Sequence, residues 1–151
     1  MAGRANFKLI YGIWGMLLFM LFVPLVLLVV TQRTQEVPLG TSGIYQEAEV
    51  KAAAEKILEL YEEGSYQMIL EEYAVEGSCS EDNATRMEVE ADVIKADWKN
   101  RGEVTYIKLS ELKKMKDYFV NVQLYAEYGE IVVNFSMFFD SELKLTGMKV
   151  F

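Results

Sequence analysis

From Leu9 to Val30 the chain runs 22 residues without a charge, LIYGIWGMLLFMLFVPLVLLVV. As a helix rising about 1.5 Å per residue, such a run spans roughly 33 Å, close to the hydrocarbon thickness of a bilayer. A cleavable export signal has a shorter apolar region, about 7 to 15 residues, followed by small residues at the cut. Here the run is followed by Thr31, Gln32, Arg33, Thr34 and Gln35. The segment therefore reads as a retained membrane-spanning helix. Pro24 inside it is tolerated in a bilayer, and Tyr11 and Trp14 sit toward one end, where amphipathic rings favour the headgroup level.

Arg4 and Lys8 precede the run with no acid among them, whereas Arg33 alone follows closely. The excess of basic residues stays on the cytoplasmic side. This predicts a cytoplasmic tail at residues 1–8, a transmembrane helix at 9–30, a polar linker at 31–43 and an extracytoplasmic domain at 44–151. Setting Arg4 and Lys8 aside, 13 of the 15 basic residues and all 23 acids lie beyond Thr31, a net charge of −10. Such a surface repels nucleic acid.

The chain has no histidine and one cysteine, Cys79. Ser-His-Asp and Cys-His catalysis, histidine zinc sites and an internal disulfide are excluded together. Glu71, Glu72, Glu76, Glu81 and Asp82 gather carboxylates near one loop but lack the spaced Asp/Asn-Gly pattern of a calcium loop. No metal and no cofactor is expected.

The outer part opens with IYQEAEVKAAAEKILELYEEG, in which Val50, Ala54, Ile57 and Tyr61 fall at helical spacing before the stop at Gly64. Tyr66, Ile69, Leu70 and Tyr73 mark a short second helix. Met87, Ala91, Ile94 and Trp98 mark a third, ending by Gly102. After Gly102 the period becomes alternating in EVTYIKLS, DYFVNVQLYAEYG, EIVVNFSMFFD and ELKLTGMKVF, four strands with short connections. Gly147 shifts the phase of the last strand, the mark of a bulge. The predicted fold class is α+β: three helices packed on a curved four-stranded antiparallel sheet after a single transmembrane helix.

The stretches ILELYEEG, SYQMILEEYA, DWKNRGE and FDSELKLTGMKVF, in this order, resemble the nuclear transport factor 2-like superfamily, the cystatin-like α+β cone. The resemblance covers about residues 45–151 and is greatest to bacterial members found in cell-envelope proteins. It implies a conical pocket between sheet and helices, used by some members for catalysis and by others for binding or dimerisation. No catalytic residue of its isomerase or dehydratase members maps onto this chain. A pocket of that kind would be lined by Trp98, Tyr106, Tyr118, Tyr125 and Phe135, whose rings grip a small planar or apolar ligand, and by Asn134, whose amide would orient it by hydrogen bonding.

The expected function is a membrane-anchored, extracytoplasmic binding or protein-interaction module in a bacterial envelope, without catalysis. The alternatives are a small cofactor-independent isomerase or hydratase in the cone pocket, or a structural subunit of an envelope complex. Expected partners are the bilayer through residues 9–30 and an envelope protein or a second copy, with no nucleic acid.

Overall fold

The computed structural model describes residues 33–77 and 81–151. The expected tail 1–8, the apolar segment 9–30 and Cys79 lie outside the described residues. Residues from Gln35 to Phe151 form one compact unit.

Its elements are β1 (Gln35–Pro38), α1 (Glu47–Glu62), α2 (Tyr66–Met68) running directly into a π-helical turn (Ile69–Tyr73), α3 (Glu81–Ile94), β2 (Arg101–Lys114), β3 (Asp117–Tyr128), β4 (Ile131–Phe139) and β5 (Leu145–Val150). The strands pair β1-β2-β3-β4-β5, each antiparallel to the next.

Helix α1 forms because Val50, Ala54, Ile57 and Tyr61 make one stripe, and all four are buried. Glu47 and Glu49 stand in its first turn, where carboxylates favour the helix dipole, and Glu47 pairs with Lys51 at 2.6 Å. It ends where Gly64 adopts φ +73°. The Ser65 N–H then donates to the Leu60 carbonyl and the Gly64 N–H to that of Tyr61, the two bonds of a Schellman stop.

The sheet turns one face to the helices. Val120, Val122, Leu124 and Ala126 of β3 and Val133, Phe135, Met137 and Phe139 of β4 are buried at alternate positions. Two-residue connections close the central hairpins; in β3–β4, Gly129 takes φ +65°, the positive value such tight turns demand. Phe138 pairs with Gly147 and Phe139 with Leu145, so Thr146 is the extra residue of a bulge, one position before the glycine.

Three expectations are corrected. The sheet has five strands, not four: Gln35–Pro38, inside the stretch read as linker, pairs with Ser110–Lys113 at the edge of β2. Such a short segment shows no alternation, and its Pro38 suits an edge strand, where a missing N–H costs no ladder bond. The transmembrane helix written into the expected fold is also withdrawn as a described element: among the described residues no helix is long and apolar enough to cross a membrane. The third helix stops at Ile94, with Lys95 at φ +57°, so Trp98 lies in the following loop and not on the helical stripe.

Beside its ladder to β2, β1 is secured through the loop that follows it. Glu111 is on the inner face of β2 with no exposed surface, and its two carboxylate oxygens accept from the Gly40 N–H at 2.7 Å and the Ser42 N–H at 2.9 Å. A carboxylate out of water needs such donors. The loop after β1 supplies them.

Candidate functional site

The aromatic residues between helices and sheet fill the space in which a cone pocket would lie. Tyr61 of α1 meets Tyr66, Trp98 and Phe135 edge to face at 5.2, 5.4 and 5.6 Å between ring centroids, and Trp98 meets Tyr128 at 4.9 Å. These distances lie within the range at which aromatic quadrupoles attract. Trp98 and Phe135 do come together, at 6.5 Å, as parts of this packed cluster.

The other four pocket candidates are elsewhere. Tyr106 lies beside α1, where its hydroxyl donates to the Lys51 carbonyl at 3.4 Å and to Glu55 at 3.2 Å. The Tyr118 carbonyl accepts from the Tyr45 hydroxyl at 2.7 Å, and Tyr118 borders a separate open depression of about 250 Å³ with Ile44 and Asp140. Tyr125 and Asn134 stand opposite each other in the β3–β4 ladder, on the sheet face turned away from the helices. A period-2 strand separates its odd and even side chains onto two faces, so Tyr125 and Asn134 cannot share a site with Phe135.

Next to the aromatic cluster, the Tyr128 hydroxyl donates to Glu62, which also pairs with Arg101 at 3.3 Å. Burial pushes the Glu62 carboxyl above its ordinary value, with the Tyr128 hydroxyl and the Arg101 charge opposing the shift. Burial also drives the Tyr128 phenol upward, reinforced by the Glu62 carboxylate. None of these three residues borders a described cavity near the cluster, and the trio acts as a structural tie between α1 and the sheet.

With its folded value raised, Glu62 holds a proton in the native state above pH 4.5 that it loses in the unfolded chain. Its contribution to stability is complete below 4.5 and is lost as pH rises through the raised value. Urea midpoints measured from pH 4 to 7 are therefore expected to fall with pH more steeply for the wild type than for Glu62→Gln. Parallel pH profiles would refute the assignment.

A cavity open to solvent lies at the other edge of the sheet. Between β5, α3 and the π-helical turn is a space of about 120 Å³. Its apolar wall comes from Leu70, Ala74, Met87, Leu145 and Met148, and its polar rim from Asn83, Arg86 and Glu90. The one extra residue per turn of a π-helix widens the backbone, a device found often at functional positions. Here the turn places Leu70 in the cavity and delivers Ala74 to the sheet edge, where Ala74 bridges Leu145 in parallel and the Val75 N–H donates to the Leu145 carbonyl at 3.0 Å. On the rim, Arg86 and Glu90 pair at 3.5 Å across one turn of α3.

Chemically, the cavity offers an apolar slot beside a charged pair. Its hydroxyl, that of Thr146, donates to the Phe138 carbonyl at 3.1 Å. Among the described residues no group of three or more His, Cys, Asp or Glu side chains is arranged to hold a metal ion. A space of about 120 Å³ has room for one small aliphatic group.

Sequence reasoning missed this site because its lining comes from three elements far apart in the chain. One signal was present: the phase change at Gly147 that turns Met148 toward the helices. Searches of protein-family models, curated proteins and solved structures returned no match for this chain.

Proposed function

We propose that this protein is a membrane-tethered binding module, holding a protein partner at the outer face of a bacterial membrane without catalysis of its own. The observation that carries the reading is the contrast between a packed aromatic interior and an apolar slot open at the edge of β5. Catalysis requires reacting groups converging on a cavity. The polar groups in this interior are instead consumed in structural ties, whereas the edge slot has the composition of a recognition site.

Tethering rests on the 22 uncharged residues from Leu9 to Val30 and on the basic flank formed by Arg4 and Lys8. With β1 beginning at Gln35, four residues, 31–34, separate that run from the folded unit. A tether raises the effective concentration of the module for a partner in the same membrane. The order of helices followed by an antiparallel meander also supports placing the domain with the nuclear transport factor 2-like cones.

Two measurements on the full chain in bacterial membranes test this. Protease added to intact spheroplasts is expected to remove the domain while the amino-terminal tail survives; a protected domain, or mature protein beginning beyond Val30, would overturn the tethering. Native mass spectrometry of the detergent-extracted chain is expected to retain a protein companion. A retained small metabolite in its place would overturn the protein-binding reading.

A further inference from the structure

Strand β5 is the last strand of the sheet, and hydrogen-bond alternation shows which of its backbone groups are unused. Asn134 and Phe151 exchange both of their backbone bonds, at 2.8 and 3.0 Å. In an antiparallel ladder such a pair alternates with pairs whose backbone groups point away. Stepping along the register, Ser136 and Lys149 form the next bonded pair, while Val150 opposite Phe135 and Met148 opposite Met137 direct their N–H and C=O outward. Among the described residues these outward groups have no hydrogen-bond partner.

The same edge already accepts a strand at its start. Ala74 and Val75 lie against Leu145, parallel to β5, and make one ladder bond before the chain leaves the edge. Just beyond them lies the cavity of about 120 Å³, bordered by Leu145 and Met148 on the strand side. The opposite edge is different. β2 extends past β1 from Arg101 to Leu109, but register shifts between Arg101 and Val104 and between Tyr106 and Lys108 break its outline, as proteins blunt edges that must not pair. No shift interrupts β5 from Gly147 to Val150.

We propose that the β5 edge binds an extended, basic segment of a partner protein as a sixth strand, bonded to Met148 and Val150, with one aliphatic side chain in the cavity. This deepens the binding-module reading and rests on it. Strand addition of this kind draws affinity from the backbone ladder and specificity from pockets for alternate side chains.

The charge of the occupant follows from its surroundings. Glu71, Glu72, Glu76 and Asp82, close in sequence to the lining residues Leu70, Ala74 and Asn83, are exposed and outnumber Lys144 and Lys149 beside and on β5, and the folded portion of the chain is strongly acidic. A basic segment is attracted to this acidic surround, within which the rim pair Arg86–Glu90 is neutral. A second copy of the same acidic domain would bring like charges together.

The test uses the full chain in detergent micelles and the acetylated peptide Lys-Val-Lys-Val-Lys-Val-Lys. Binding is expected, with slowed amide exchange at Met148 and Val150 by NMR. The same peptide N-methylated on its bonding edge, with side chains and charges unchanged, is expected to bind at least about tenfold more weakly. So is its Glu-Val counterpart at low salt. Val150→Pro removes an outward N–H and none of the bonds to β4; it is expected to leave the thermal midpoint within a few degrees and to abolish protection at Met148.

No binding of the Lys-Val peptide, binding indifferent to N-methylation, or exchange unchanged at Met148 and Val150 would each overturn strand addition. A protein companion retained by native mass spectrometry alongside any of these results would leave the binding-module reading in place and locate its surface elsewhere. A concentration-dependent dimer that the peptide does not disturb, protected at β5, would assign the edge to a second copy and overturn the proposal.

Discussion

Phe135→Ala is expected to lower the unfolding free energy by about 3 to 5 kcal/mol, the loss typical of a buried ring truncated to a methyl. The side chain has no exposed surface and sits edge to face with Tyr61 and Trp98 at 5.6 and 6.5 Å. Its removal takes away buried apolar area and leaves a hole in the middle of the aromatic cluster. The neighbours are themselves fixed, Tyr61 on α1 and Trp98 against Tyr128, so the hole cannot close by simple collapse. A domain with a typical stability of about 5 to 15 kcal/mol would lose a large share of it. Urea unfolding reads the effect as a lower midpoint with an unchanged slope. A loss below about 1 kcal/mol would show that the ring lines an open pocket and is not packed core.

The second large effect is expected at Glu111. Glu111→Ala should cost about 2 to 4 kcal/mol, because it leaves the Gly40 and Ser42 N–H groups without their acceptor and frees the loop that fixes β1. Two opposing contributions decide the sign. Removing a buried carboxylate relieves desolvation, which by itself favours the variant. The carboxylate is, however, satisfied by two short charge-assisted bonds, and satisfied buried charges are costly to break. Amide exchange separates this local role from general destabilisation: protection along the β1–β2 ladder, Gln35–Pro38 with Ser110–Lys113, is expected to fall first, while that of β3 and β4 follows global unfolding. Uniform loss across all strands would contradict the clamp.

The two substitutions probe separate parts of one design. Phe135 belongs to the interior shared by α1, the Trp98 loop and the central strands. Glu111 secures the loop that follows the amino-terminal edge strand. Were residues 35–43 a free tether, the chain would be indifferent to Glu111; here Gln35–Pro38 are paired in the sheet and the loop after them is bonded to Glu111.

Much of the fold was legible because it is local. Val50, Ala54, Ile57 and Tyr61 repeat at the helical period, and the strands from β2 to β5 alternate at a period of two; these patterns depend only on backbone geometry and on which side chains avoid water. The Gly64 stop and the Gly129 turn were legible for the same reason, since positive φ is accessible to glycine at low cost.

The candidate site was not legible, because proximity across elements has no sequence period. Trp98, Tyr106, Tyr118, Tyr125, Asn134 and Phe135 were grouped by chemical type, and the structure distributes them between the two faces of the sheet and along its length. Leu70, Met87 and Met148 meet only because a π-helical turn, a helix and an edge strand converge.

The amino-acid sequence by itself determined the apolar run at 9–30, the acidic balance after it, the absence of histidine chemistry, and the succession of helices and strands. Only the tertiary structure decided that the aromatic residues fill the interior, that Glu111 draws the supposed linker into the sheet, and that β5 presents an open edge beside a cavity. The division has one physical cause. Hydrophobic periodicity and turn chemistry act between residues a few positions apart, whereas packing, buried-charge satisfaction and strand order depend on which distant segments come into contact.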